Sequence, residues 1–289
     1  MPEFHLFLPQ MRMPLETIVD RALAAESAGF TGIALMDHLS PPMAESQPMY
    51  DAIVTATWLA AATSTLTLSH LVLCDAFRHP AVLARQAVTL DHASGGRFEL
   101  GIGWGSVPEE FDTYGVGETA PRVRVARLAE TLEVLRRLWT GDPVDFDGEF
   151  HQIRGGQQQP PPLGRIPVVI GGAGPKTLRL VAEYADWWNC PVYAQDRFEG
   201  LREETGAARS SLQTMLAFVP SGGDRSGIEA SASRRFGAMG FQLGDGPELR
   251  EHFAGLATRG AERIYVWFTD FAAPETLEAF GREVIAPLR

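Results

Sequence analysis

Short apolar runs alternate along this chain with longer stretches whose apolar residues recur at the helical period. The first run, Phe4–Leu8, is closed by Pro9. Pro14 then opens a helix with Leu15, Ile18, Val19, Ala22 and Leu23 on one face and Gly29 as its stop. Further strands are predicted at Phe30–Met36, Leu66–Leu73, Phe98–Ile102, Ile166–Ile170, Trp187–Cys190, Leu212–Val219 and Arg263–Thr269. Between them the spacing predicts helices over Tyr50–Thr63, from Pro80 to the Gly95-Gly96 pair, and along the Val125, Leu128, Leu132, Leu135 and Trp139 stripe. Four more follow at Pro175–Ala185, Asp196–Ser210, Ile228–Met239 and Pro247–Thr258, and Pro274–Ala286 closes the chain.

Eight strands alternating with helices, apolar on both faces, form the pattern of a (β/α)8 TIM barrel, read here as one α/β domain over residues 1–289. An open, doubly wound sheet is the competing arrangement. The count of eight and the lack of a Gly-x-Gly-x-x-Gly after the first strand weigh against it. Residues 141–165 break the rhythm. Asp145–Phe150 reads as a small hairpin with an Asp-Gly turn, and Gln157–Gln159 with Pro160–Pro162 as an irregular surface insertion.

Composition narrows the function classes. A hydrophobic content of 45% supplies a large core and excludes a disordered chain. The net charge of −11 argues against nucleic acid and anionic membranes as partners, since both are held by clustered cations. Lys176 is the only lysine, so arginine carries nearly all the positive charge. Cys74 and Cys190 make no disulfide framework, no run is long enough to span a membrane, and the N-terminal residues read directly as a strand. The expected setting is the cytoplasm.

Barrel sites form where strands end, so the candidate site is Pro9-Gln10, Asp37-His38, Cys74-Asp75, Gly103–Ser106, Gly171–Gly174, Asn189, Val219 and Thr269-Asp270. His38 is a candidate general acid/base with Asp37 fixing its tautomer; alternatively it caps the following loop. Gly171-Gly172-Ala173-Gly174-Pro175 runs into a helix N-terminus. It reads as a phosphate cradle, or as a tight turn that needs positive φ. Gly101, Gly103 and Gly105 have the wrong spacing for a dinucleotide fingerprint; they clear space for a flat ligand, and Trp104 either lines that ligand or packs against a neighbouring loop. Glu109 and Glu110 are adjacent, so they point in different directions, and Glu110 reads as structural. His5, His38, His70 and His79 lack metal-binding spacing, and no metal site is expected. No Gly-x-Ser-x-Gly elbow suggests acyl transfer.

Taken in order, several motifs resemble the bacterial luciferase-like family of flavin- and F420-dependent oxidoreductases. They are Arg78-His79-Pro80, Leu90-Asp91-His92, Ser94–Phe98, Gly101–Gly105, Glu109–Phe111 with Tyr114-Gly115, Arg124…Glu130, Gly171-Gly172, Ala185–Asn189 and Phe271–Leu277. The resemblance implies an F420-dependent hydride transfer to or from a small-molecule organic substrate, with FMN as the alternative cofactor. In the F420-using branch an Asp-His pair ends the second strand, matched by Asp37-His38, which makes His38 the expected proton-handling residue. A non-prolyl cis peptide is expected within Leu71, Val72 and Leu73, under the ring, with Gly103 and Trp104 beside it. Gly171, Gly172, Ala173 and Gly174 match the loop that holds the cofactor phosphate. The FMN alternative would be a monooxygenase fed by a flavin reductase, and a further alternative is a flavin-binding barrel without turnover. A reductase, of flavin or of F420, is thus an implied partner, and so is a second copy of the chain, since the family often pairs through helices near strands two and three. One departure matters: family members that oxidise glucose 6-phosphate carry a glutamate where this chain has Ser106, and use lysines for the substrate phosphate. That activity is therefore not expected.

Overall fold

The apolar runs pair side by side, in parallel. The computed structural model describes residues 1–42, 44, 46–118 and 120–289. Its strands are β1 (Glu3–Phe7), β2 (Gly32–Leu35), β3 (Thr67–His70), β4 (Leu73–Cys74), β5 (Leu100–Gly103), β6 (Val144–Asp147), β7 (Gln152–Gly156), β8 (Val168–Gly171), β9 (Trp187–Cys190), β10 (Arg209–Phe218), β11 (Gln242–Gly244) and β12 (Arg263–Phe268). The main sheet runs β3-β2-β1-β12-β10-β9-β8-β5-β4. β3 and β4 are two halves of one barrel stave, interrupted by a cis peptide between Leu71 and Val72. A parallel bridge between Leu68 in β3 and Phe98, just ahead of β5, sets β3 beside the stave that β4 also pairs, so the expected eight-stave barrel closes.

Ten principal helices accompany the strands: α1 (Leu15–Ala28), α2 (Ala52–Ala62), α3 (Pro80–Ser94), α4 (Pro108–Tyr114), α5 (Pro121–Leu138), α6 (Pro175–Tyr184), α7 (Phe198–Arg202), α8 (Arg225–Phe236), α9 (Gly246–Thr258) and α10 (Pro274–Phe280). α3 shows how sequence sets an element's ends. Pro80 occupies its first turn, the His79 side chain accepts the Ala81 N–H, and Gly95 at φ 66° closes it. Its buried stripe, Leu83, Ala87, Val88 and Leu90, is the one the periodicity marks. Among the described residues, no helix is long and apolar enough to cross a membrane.

Two expectations change. The helix expected over Asp196–Ser210 is a 3-10 turn over Val192–Arg197 followed by the short α7, and the next strand already begins at Arg209. Gly206, at φ 66°, turns the chain out of the helical path. β11 was not expected; three residues long, it adds to β10 through Leu216–Phe218. The 141–165 excursion does contain a hairpin, β6 against β7, with a bulge between Val144 and Phe146.

The N-terminal end of the barrel is plugged by one arginine. Arg263, 3% exposed, meets Glu99 through Nη1 at 2.6 Å and Nη2 at 3.0 Å, and Glu3 through Nε at 3.0 Å. Its guanidinium lies 3.7 Å from the Trp187 ring centroid and donates to the Tyr265 hydroxyl. The opposite end stays open.

Candidate active site

That open end holds a cleft of about 380 Å³ above the C-terminal strand ends. Its floor is backbone and small side chains: Leu71, Val72, Gly103 and Gly171. Gly103 is dictated by the protein itself, because a Cβ there would lie 2.8 Å from Val72 Cγ2. Gly101 is likewise forced, by the His70 carbonyl oxygen. Gly171 is not: a Cβ there would meet nothing closer than Val72 Cγ1 at 3.7 Å.

His38 follows β2 on the cleft wall. Its Nδ1 lies 2.8 Å from Glu110 Oε2, and Glu110 Oε1 accepts the Leu39 N–H at 2.6 Å and the Ser40 N–H at 3.0 Å. Burial alone would raise the Glu110 carboxyl, but bonds from His38, Ser40 and Leu39 outweigh it and hold the group below its ordinary value. Glu110 is therefore an acceptor, Nδ1 carries the ring proton, and Nε2 is left with its lone pair.

Asp37, 6% exposed, does not orient His38. It accepts Arg78 Nη1 at 2.6 Å, Arg78 Nη2 at 2.9 Å and the Cys74 N–H at 2.9 Å. Arg78 continues to Asp51 at 3.2 Å, the residue that caps α2. The expectation that Asp37 fixes the tautomer is thus corrected. Asp37 ties the third stave to the second, and Glu110 serves the imidazole. Cys74 also lines the cleft, but burial pushes its thiol up to about 12, so it is no nucleophile near neutrality.

Twelve of the residues expected at the site line the cleft: Asp37, His38, Leu71, Val72, Cys74, Gly103, Trp104, Gly105, Ser106, Gly171, Gly172 and Asn189, whereas the expected Pro9, Gln10, Asp75, Val219, Thr269 and Asp270 do not. Leu73 does not; its side chain packs in the core. Ala173 and Gly174 lie beyond the lining, where Gly174 caps α6 without a side-chain partner. The expected alternatives for the glycine loop divide between residues. Gly172 sits at φ 142°, and its Cβ would press on Thr177, so backbone geometry explains it. Nothing lies within 4 Å of a Cβ at Gly174, whose φ is −79°.

Glu110 is the residue whose role adjacency hid. The helical period offered a signal: Glu110 and Tyr114, four residues apart, share one side of α4, and Tyr114 places its hydroxyl 2.6 Å from Ser40 Oγ. Behind the cleft wall, Arg124 stacks on Trp104 and Phe111, 4.7 and 4.6 Å from their centroids.

Comparison with known proteins gives a family model and several relatives. The model, described as luciferase-like monooxygenase, matches residues 2–241. An F420-dependent glucose-6-phosphate dehydrogenase of Mycolicibacterium smegmatis is 33% identical over 199 residues, 66% of this chain and 59% of that protein. The corresponding enzyme of Mycolicibacterium fortuitum is 34% identical with the same coverage. The chain thus spans 59% of the length of these curated relatives. Among solved structures, an F420-dependent secondary alcohol dehydrogenase in complex with an F420-acetone adduct superposes with a TM-score of 0.84 at 18% identity, covering 100% of this chain and 99% of that one. The oxygenating constituent of a Pseudomonas putida diketocamphane monooxygenase, in complex with FMN, reaches 0.77 at 16%, with the same coverage. These are likenesses of fold.

Proposed function

The chain belongs to the luciferase-like monooxygenase family, and from that premise we propose that it is an F420-dependent oxidoreductase, moving a hydride between the deazaflavin and a small organic substrate. The observation that carries the reading is His38: Nδ1 is taken by Glu110 at 2.8 Å, and the ring lines a cleft floored by backbone. F420-dependent activity in the curated relatives supports the choice of cofactor.

The residues fit such a group. Gly171 lines the cleft, yet no contact within the protein requires a glycine there, and Gly174 leaves the start of α6 open. Both spare the space that a bulky flat ligand and its phosphate would fill. When bound, a deazaflavin supplies a ring carbon that accepts or gives hydride without activating oxygen. The chain's own work is positional. Leu71, Val72 and Gly103 would support one face of the ring. His38 takes a proton at Nε2 from a substrate hydroxyl, or returns it to a carbonyl oxygen. Glu110 holds Nδ1–H throughout, so the imidazolium that forms is stabilised where it stands.

Titrating the apoprotein with F420 and following fluorescence quenching tests the reading; no binding at micromolar cofactor would sink it. FMN is the second reading, favoured by the fold likeness to the FMN-bound monooxygenase. It requires a reductase to supply reduced flavin, and substrate-dependent oxygen consumption with reduced FMN would select it.

Pairing of two copies through α2 and α3 fits their exposed apolar side chains, Val54, Trp58 and Val82, each more than half accessible. Sedimentation of the Trp58→Asp variant as a monomer beside a dimeric parent would support that face; an unchanged mass would move the contact elsewhere.

A further inference from the structure

We infer that the substrate is an uncharged molecule with an apolar body, an alcohol or ketone and not a phosphorylated sugar, and that Val192 and Tyr193 form its outer wall. This rests on the reading of the cleft as an F420 site and assigns its substrate half. Among the described residues, no lysine or arginine lines the cleft. Two cations that touch lining residues are committed elsewhere. Arg78 is bidentate on Asp37, and Arg124 faces the far side of Trp104 and Phe111 while donating to the Gly105 carbonyl at 3.2 Å.

The two acids on the lining are not equivalent. Asp37 has its charge matched by Arg78. Glu110 is satisfied by His38 and by backbone N–H groups, which compensate its bonds without adding a full positive charge. A dianionic phosphate beside His38 would therefore meet an unneutralised carboxylate and no counter-cation, at a cost that rises as the ligand excludes water. The anion-friendly feature of this rim is the open start of α6, and the cofactor phosphate takes that in the reading above.

What the rim offers instead is apolar surface. After β9 the chain makes a short turn that leaves Val192 54% and Tyr193 75% exposed, both on the cleft. Gln195 fixes the turn by donating to the Gln213 carbonyl at 2.8 Å. Large apolar side chains held in water at the edge of a cleft are the mark of a surface waiting for an apolar body. Trp104 and Phe111 also line the cleft.

The test is calorimetric titration of the F420-loaded protein with three probes: cyclohexanol, glucose and glucose 6-phosphate. Cyclohexanol is expected to bind about tenfold or more tighter than either sugar. Tyr193→Ala should weaken cyclohexanol about fivefold with the thermal midpoint unchanged, since an exposed ring adds little to the fold. Val192→Arg should raise the affinity for glucose 6-phosphate over the parent's. Equal or tighter binding of glucose 6-phosphate by the parent, no measurable binding of cyclohexanol, or a Tyr193→Ala variant that binds cyclohexanol as the parent does would each overturn the inference. The same samples report F420 quenching. Failure there removes the F420 reading itself, whereas a loaded protein that prefers the phosphate removes only the substrate assignment.

Discussion

The two ends of this barrel solve the same problem with opposite accounting. At the N-terminal end Arg263 is buried between Glu99 and Glu3, stacked on Trp187 and bonded to the Tyr265 hydroxyl, so its donors all find partners. At the C-terminal end Asp37 and Arg78 form an equally close pair, but His38 beside them is, among the described residues, satisfied on one nitrogen only. Buried polar groups in a closed network are matched because an orphan costs free energy. A group left half-matched at the edge of a cleft has a coordination site reserved for something else. Closure at one end serves the fold; the open nitrogen at the other is the one the proposed proton transfer uses.

That contrast breaks if the two ends respond alike to mutation. Removing the imidazole with His38→Ala should lower kcat by about 10²–10⁴-fold, with F420 affinity within a few-fold of the parent and the thermal midpoint nearly unchanged. A variant that instead melts early would make His38 a structural residue. Arg263→Met should do the reverse. It strands Glu99 and Glu3 without their cation, at a cost of about 3–5 kcal/mol, while kcat measured well below the melting temperature stays near the parent value. Urea unfolding alongside steady-state rates separates the two cases.

The architecture was legible because it rests on patterns that repeat. Eight apolar runs with helices between them follow from two periodicities, and Pro80 and Gly95 mark their helix by conformational preference. Asp37-His38 was found because barrel chemistry gathers at strand ends. What the sequence hid was pairing at a distance. Asp37 precedes His38 in the chain, yet it holds Arg78 forty-one residues on, and Glu110, seventy-two residues from His38, holds the imidazole. Adjacency along a strand end sends successive side chains to opposite sides, so a neighbour in sequence is a poor partner in space. The Asp196–Ser210 expectation failed for a related reason: Ser210 and Ser211 look polar and exposed, but both are fully buried in β10, with Ser211 donating to the Trp188 carbonyl. The glycine loop was ambiguous because its glycines serve different purposes: φ explains Gly172, and nothing inside the protein explains Gly171.

Glu110→Gln sharpens the comparison within the mouth. The amide keeps size and hydrogen-bonding capacity but accepts or donates, so it no longer dictates which ring nitrogen carries the proton. A fall in kcat of about 10²-fold with little change in stability is expected, by the logic of a mis-set tautomer. An unchanged kcat in a stably folded variant would show that the Glu110 carboxylate does not set the His38 tautomer.

The smallest expected effect concerns Asp75, buried just below the mouth with Oδ1 unpartnered and Arg127 at 3.8 Å from Oδ2. Burial pushes its carboxyl up to about 6, against the pull of Arg127 and of the Thr131 hydroxyl. A carboxyl whose folded value is raised destabilises the fold once the unfolded chain ionises at about 3.9. Stability is then lost as pH climbs from there to about 6, and stays lost above, to a total on the order of 2–3 kcal/mol. His151 and His70 run the other way. Burial lowers each to about 4, so between that value and about 6.5 the unfolded chain takes up protons the fold refuses, and stability rises with pH. The opposing slopes share one window and offset each other in the parent. Asp75→Asn uncovers the histidine slope. Its stability relative to the parent, read from urea midpoints, should grow from near zero at about pH 4 to the full 2–3 kcal/mol near neutrality. A difference constant across that range would mean that the Asp75 carboxyl is already charged in the fold, paired with Arg127 closely enough to outweigh its burial.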